Sequence, residues 1–148
     1  MIKPDKTGGM ENSPHRPRLG YQKLEAWGQA VDLAREIQKV TAGFRGAALE
    51  IRDQMNSSVE SVSSNIAEAE GRFSNKDALR IYYIARGSLW ELNSQIAVCR
   101  ERGLIDEETA EKLSKVAESV GRLIGGIIRL RRANEEKMNR ARKGNRKA

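Results

Sequence analysis

The feature that most restricts the fold of this chain is the position of its prolines. All three, Pro4, Pro14 and Pro17, lie near the amino terminus, so residues 18–148 contain none. Because proline ends or kinks a helix, a proline-free stretch of this length permits long uninterrupted helices. Aromatic residues make up only 5% of the chain and charged residues 32%, which favours helices over a sheet. We expect an all-α fold.

Helical periodicity divides the proline-free part into four segments. Helices are predicted at about 22–41, 48–70, 74–102 and from 106 onward. Ser74 and Asp106 carry side chains that cap helix amino termini, and Gly71 and Gly103 stand where left-handed glycines end helices. Short connections between four helices favour an antiparallel up-down-up-down four-helix bundle.

This pattern gives the chain three parts. Residues 1–20 contain the prolines and little apolar content, and we expect a disordered arm there. Residues 21–130 form the predicted four-helix bundle, whose last core position is Leu130. Residues 131–148 are a basic carboxyl-terminal tail.

The second predicted helix has an apolar stripe beside a row of polar side chains. The stripe consists of Ile51, Met55, Val59, Val62, Ile66 and Ala69. Polar residues occupy an adjacent face at i, i+4, i+7 and i+11, and others follow on the third helix. We predict that they form a network between helices that fixes their register. Its members are Ser61, Asn65, Glu68, Arg72, Arg86, Ser88 and Glu91.

The same polar row invites an active-site interpretation, which the rest of the sequence does not support. The sole histidine, His15, lies in the amino-terminal arm, and Cys99 falls in register with the core of the third helix. No histidine or cysteine spacing suits a metal, and no nucleophile has a base beside it. We expect no catalytic residue, no metal and no cofactor, and a protein that is not an enzyme.

The third predicted helix is apolar on two sides. Its core face carries Ile81, Ala85, Leu89, Leu92, Ile96 and Cys99. Roughly opposite lie Leu79, Tyr83, Trp90 and Ala97, and a single bundle would expose them. We predict that this second face is an interface of a homo-oligomer, the alternative being scattered surface aromatics. Close helix approach, or else local flexibility, would explain the glycines at 87, 121 and 125.

The net charge of +7 comes entirely from the carboxyl-terminal part of the chain. Residues 129–148 hold nine basic and two acidic residues, whereas residues 1–128 hold eighteen of each. We predict that the basic residues bind RNA or DNA phosphates without sequence preference. They are Arg129, Arg131, Arg132, Lys137, Arg140, Arg142, Lys143, Arg146 and Lys147. A tail that only solubilises the protein is the alternative, and contact with a membrane is not expected.

The chain has no signal-like segment and no apolar run long enough for a membrane span, so we expect a cytoplasmic protein.

Three motifs, in this order and spacing, resemble the bacterial four-helix bundle family encoded in intervening sequences of large-subunit ribosomal RNA genes. They are Tyr21–Trp27, Ser61–Glu68 with Gly71-Arg72, and Ala85–Leu92. The resemblance implies a bundle that assembles into a pentameric ring. The same superfamily includes the accessory variability determinant of diversity-generating retroelements, which binds a reverse transcriptase and nucleic acid.

The chain departs from the family pattern in three places. After Phe44, the aromatic residue of the first loop, this chain has Arg45 where the family usually has a proline. The segment Gln54–Ser57 lacks the arginines that the family usually has there, and Ala69 stands in place of a glycine. Without those arginines the expected nucleic-acid contacts move from the bundle wall to the tail. We predict an oligomeric accessory protein for a reverse transcriptase or an RNA-associated process. The alternative is a scaffolding oligomer that binds a protein partner.

Overall fold

A computed structural model describes residues 20–147, and the all-α prediction is confirmed because this range contains no strand. The four helices are α1 (Glu25–Thr41), α2 (Leu49–Glu70), α3 (Asn75–Glu101) and α4 (Glu107–Asn145), with short 3-10 turns at Gly20–Lys23 and Gly46–Ala48. Helix boundaries agree with the sequence prediction within a few residues. The predicted disordered arm, apart from Gly20, lies outside the described residues.

The four helices surround one core. Helix α1 contacts α2 and α4, and α3 contacts the same two helices, so α1 and α3 lie diagonally across the core. The apolar stripes predicted for α2 and α3 are buried throughout, as periodicity indicated. In α1 the buried apolar positions are Ala26, Ala30, Leu33 and Ile37, while Leu24 and Trp27 are only partly buried against the core.

Two helix starts are capped as their sequences predict. The Ser74 Oγ accepts a hydrogen bond from the Asp77 N–H at 3.1 Å, and an Asp106 carboxylate oxygen accepts one from the Thr109 N–H at 2.7 Å. These side chains satisfy amide groups that the first helical turn leaves without partners. The hydrogen bond from Thr109 lowers the pKa of Asp106.

The two glycine caps differ from each other. Gly103 has a φ of +69°, so its predicted left-handed conformation is confirmed. The same prediction for Gly71 is wrong, because its φ is −83°. The Gly71 N–H still donates to the carbonyl of Ala67, which continues the helical pattern of α2 into the turn.

Helix α4 continues well past the bundle. It has 39 residues, a length of about 58 Å, and its last buried residue is Ile128. Residues 129–145 therefore extend for about 25 Å as helix, so most of the predicted basic tail is a continuation of α4. Leu130, predicted as the last core position, is 63% exposed. The prediction was wrong because Leu130 lies about 200° around the helix from Ile128.

Candidate functional site

The basic extension, defined here as residues 129–147, presents most of the predicted nucleic-acid-binding residues to solvent. Eight of the nine are exposed, all except Arg131, and within residues 20–147 these eight form no ion pair. They surround most of the helix, and Leu130, Met138 and Ala141 form a narrow apolar strip on the remaining side. The extension is therefore a cationic rod with free ammonium and guanidinium groups.

Arg131 differs from its neighbours because it is bound within the bundle. Its guanidinium donates to the Glu70 carboxylate at 2.8 Å and to the Asn75 side-chain oxygen at 3.1 Å. The guanidinium carbon also lies 5.7 Å from the centre of the Tyr82 ring, and the Tyr82 hydroxyl donates to Glu70. The prediction that Arg131 offers a free charge to phosphate is therefore wrong. We call these four residues the Glu70 cluster.

The Glu70 cluster joins three helices at one end of the bundle. Glu70 is the last residue of α2, Asn75 is the first of α3, and Arg131 follows the last buried turn of α4. Burial and the hydrogen bond to Glu70 raise the pKa of Tyr82. The cluster fixes the point at which the basic extension leaves the bundle. Sequence reasoning missed it, although Glu70 and Arg131 directly follow the apolar stripes of their helices.

The predicted polar network is divided into separate groups. Ser61 and Ser88 share a hydrogen bond of 2.8 Å between α2 and α3, and the Asn65 amide donates to the Ser61 hydroxyl at 2.9 Å. These three residues form the cross-helix contact that the sequence suggested. Ser61 and Ser88 also line a polar groove between the two helices.

The other four residues of the predicted network make local contacts. Arg72, in the turn after α2, pairs with Glu68 of the last helical turn and lies 3.6 Å from an Asp77 carboxylate oxygen. Arg86 lies over the Tyr83 ring, and Glu91 accepts a hydrogen bond from Gln95 at 3.4 Å. A single continuous network is therefore absent among the described residues.

The predicted oligomer interface on α3 is largely, but not wholly, on the surface. Trp90 is 71% exposed and Tyr83 is 38% exposed, and Ala97 is exposed as well. Leu79 is only 9% exposed, so its placement on the outer face was wrong. It lies about 40° around the helix from Tyr83, which is enough to turn its side chain into the core.

The interior glycines also differ in their surroundings. A Cβ on Gly121 would lie 3.4 Å from the Leu89 side chain, so the predicted close approach of a neighbouring helix is confirmed there. A Cβ on Gly87 would meet no atom within 4 Å in the described structure, so that prediction fails within this chain. At Gly125 the nearest group is the guanidinium of Arg129, which belongs to the same helix.

The remaining chemistry of the described chain is sparse. No three His, Cys, Asp or Glu side chains between residues 20 and 147 come together in a way that could hold a metal ion. The predicted burial of Cys99 is confirmed, and burial raises the pKa of its thiol. None of the helices in this range combines the length and apolar character needed to cross a membrane.

The four-helix core and its motifs have known relatives. Residues 22–126 match the family described as 23S rRNA-intervening sequence protein. The chain belongs to this family. This confirms the resemblance recognised in its three motifs. No protein with a curated description matches the chain.

A solved structure supports the fold. A crystal structure at 1.70 Å from the S23 ribosomal protein family of Bacteroides thetaiotaomicron, described as a protein with unknown function, is 20% identical and has a TM-score of 0.63. The similarity covers 70% of this chain and 97% of that chain. At this identity the likeness shows the fold alone.

The family match ends at residue 126, before the basic extension begins. The match therefore covers most of the bundle and leaves the role of the extension to be argued from its own residues.

Proposed function

We propose that this protein is a non-enzymatic accessory factor that binds RNA or DNA through its basic extension. The observation that carries the proposal is the exposure of eight cations, six on a helix that projects about 25 Å beyond the core and two directly after it. Such a rod meets phosphates on several sides at once and releases their condensed counterions. Contacts of this kind position a nucleic acid without reading its sequence.

The Glu70 cluster supports this proposal by holding the start of the rod. A charged helix that protrudes from a protein can bend away or fray, and it then presents its cations in many arrangements. Arg131 bonds both Glu70 and Asn75, so the first turn of the extension is fixed against α2 and α3. The cations nearest the bundle are then held in place, which reduces the entropy lost on binding.

We infer the antiparallel up-down-up-down arrangement from paired contacts. Between α2 and α3, Met55 contacts Cys99, Ser61 contacts Ser88 and Glu70 contacts Tyr82. The residue numbers rise along α2 as they fall along α3, which supports opposite directions. The remaining helices are joined by connections too short for a parallel return along the bundle.

Assembly into a pentameric ring stays a prediction from the resemblance. Five copies would bring about +35 of formal charge together, so extensions that bind weakly alone would bind strongly together. Sedimentation over a range of protein concentrations measures the stoichiometry. A reverse transcriptase or another RNA-associated assembly is the partner we propose, and neighbouring genes encoding either would identify it.

Two variants of equal charge test the proposal against a purely solubilising extension. The first replaces six cations of the extension with glutamine: Arg132, Lys137, Arg140, Arg142, Lys143 and Arg146. The control replaces six exposed cations of the bundle: Arg35, Lys39, Arg45, Arg100, Lys112 and Lys115. Each of the two variants lowers the net charge of the protein from +7 to +1.

The probe is a labelled 20-nucleotide uridine strand, measured by fluorescence anisotropy at fixed salt. The proposal predicts that the extension variant binds at least about 100-fold more weakly than the control variant, because position as well as total charge matters. Equal losses in the two variants, or no loss in either, would overturn it. A protein that binds no nucleic acid but precipitates without the extension charges would favour the scaffolding alternative.

A further inference from the structure

We infer that the outer face of α3 is a stacking surface for unpaired bases, so that the preferred ligand is a single-stranded nucleic acid. This inference rests on the proposed function and adds the class of nucleic acid and a second contact surface. It concerns Tyr83, Gly87 and Trp90, together with the cations that flank them.

The three residues share one exposed side of α3. Tyr83, Gly87 and Trp90 are spaced by four and three residues, which places them in a row along the helix. Trp90 is 71% exposed, so most of its indole is available to a ligand. Aromatic rings on a protein surface bind single strands by stacking on successive bases, which every base permits.

Gly87 leaves a gap between the two aromatic side chains. Glycine inside a helix is unfavourable by about 1 kcal/mol relative to alanine, and here a Cβ would meet no atom within 4 Å. Packing within the described chain therefore does not require a glycine at this position. The missing side chain leaves room for a planar ligand, so a base can enter between the rings of Tyr83 and Trp90.

The same face carries the charges that a phosphate backbone needs. Lys76, Arg80 and Arg86 lie on it, and the Arg86 guanidinium is 4.8 Å from the centre of the Tyr83 ring. Alternating cations and aromatic rings are typical of surfaces that bind single strands. The nearest acidic side chains are Asp77, which pairs with Arg80 at 3.5 Å and so offsets its charge, and the exposed Glu91. Lys76 and Arg86 have no ion-pair partner among the described residues, and these two free cations beside the aromatic rings favour nucleic acid over a second copy of the chain.

The stacking surface adjoins the basic extension. The hydrogen bond between Asn75 and Arg131 joins the first residue of α3 to the base of the extension. Tyr83 and Trp90 follow Asn75 by eight and fifteen residues, distances of about 12 and 22 Å along the helix. A strand that leaves the extension therefore reaches both rings within the roughly 4–16 nucleotides that one binding domain commonly covers.

A shallow groove at the start of α3 lies on this path. Lys76, Asp77, Arg80 and Tyr83 contribute to its walls, and the mostly buried Leu79 also lines it. The Tyr83 ring suits the face of a base, and the Lys76 ammonium suits an adjoining phosphate. The groove thus continues the stacking row toward the basic extension.

Trp90 supplies its own reporter for the test. The chain has two tryptophans, and Trp27→Phe leaves Trp90 as the only one. In this background we expect a uridine 12-mer to quench Trp90 fluorescence, and a 12-base-pair duplex, whose bases are already stacked, to quench it much less. Anisotropy with labelled strands gives the affinities in parallel.

Substitution by leucine separates stacking from simple apolar contact. Trp90→Leu and Tyr83→Leu keep an apolar side chain but remove the ring. We expect each to weaken binding of the 12-mer by about 5- to 150-fold, with little change for the duplex. Trp90→Phe keeps a ring and should restore most of the affinity. Equal affinity of Trp90→Leu and the parent protein for the 12-mer would overturn the inference.

Gly87 gives an independent test that does not depend on removing a ring. Gly87→Leu fills the gap and Gly87→Ala leaves most of it open, while both favour the helix. We expect Gly87→Leu to weaken single-strand binding at least about 10-fold more than Gly87→Ala. Unfolding measurements establish that both variants are folded. Equal binding by the two variants would count against a base in the gap.

The outcomes distinguish this inference from the proposed function. If the leucine variants bind both nucleic acids normally while the extension variant does not, the stacking surface is wrong and the proposed function stands. If Trp90→Leu and Gly87→Leu change sedimentation but leave 12-mer binding intact, a second copy covers this face and the inference is overturned.

Discussion

Replacing Arg131 with methionine tests whether the Glu70 cluster holds the base of the extension. Methionine keeps much of the aliphatic volume but removes the hydrogen bonds to Glu70 and Asn75, which measure 2.8 and 3.1 Å. The Arg131 and Glu70 side chains are only 21% and 23% exposed, so solvent screens this pair less than the other ion pairs of the described chain.

The expected loss is about 2 kcal/mol in the free energy of unfolding. A hydrogen bond to a charged group contributes about 1.5–3 kcal/mol, whereas an exposed ion pair contributes about 0–1 kcal/mol. The partial exposure and the remaining hydrogen bond from Tyr82 to Glu70 place the estimate in the lower half of the first range. Urea denaturation followed by circular dichroism measures the loss, and the melting temperature should fall by about 4–8 °C.

Arg132→Met is the matched control, because Arg132 is exposed and has no ion-pair partner among the described residues. It should change stability by less than about 0.5 kcal/mol but reduce the salt dependence of nucleic-acid binding. Arg131→Met should instead lower the stability by about 2 kcal/mol and leave the salt dependence of nucleic-acid binding nearly unchanged. Equal stability of the two variants, or an equal reduction of the salt dependence, would refute the structural role of Arg131. A double-mutant cycle with Glu70→Gln should give a coupling of about 1 kcal/mol.

Three further predictions follow from individual contacts. Because the pKa of Tyr82 is raised, the stability that Tyr82 contributes to the folded protein is complete below its ordinary pKa of 10.0 and is lost as pH rises above that value. Tyr82→Phe should therefore lose less stability than the parent protein as pH rises, measured by urea titrations. The pKa of Asp106 is lowered, so its stabilisation is present above its ordinary pKa of 3.8 and disappears as pH falls further; the acid unfolding of Asp106→Asn should therefore be less steep in this range. Gly87→Ala should stabilise the protein by about 0.5–1 kcal/mol because it meets open space, whereas Gly121→Ala should gain less because its Cβ lies 3.4 Å from Leu89, and thermal unfolding compares the two.

The parts of the fold that depend on local pattern could be predicted from the sequence. The stripes of α2 and α3 are buried as predicted, because a helix with apolar residues on one face has one way to cover them. The caps at Ser74 and Asp106 involve residues three positions apart, so the sequence contains both partners. Gly71 was misassigned because a glycine after a helix also accepts ordinary helical angles.

The parts that depend on register between helices could not be predicted. Glu70 and Arg131 are 61 residues apart, and their contact requires three helices to be placed correctly along their axes. The prediction for Leu130 was wrong for a local reason, because Leu130 lies about 200° around α4 from Ile128 and so outside the buried stripe. The sequence did indicate the aromatic residues on the outer face of α3. That this face begins beside the basic extension could not be predicted, because it depends on the contact between Asn75 and Arg131.

The most direct test of the central proposal is the salt dependence of binding to a single strand. Each phosphate neutralised on a single strand contributes about −0.7 to the slope of log K against log salt, so removing six cations should reduce the magnitude of the slope by about 4 if all six contact phosphates. We predict a reduction approaching this value for the extension variant and a much smaller one for the bundle control. Equal slopes for the extension variant and the parent protein would contradict the account.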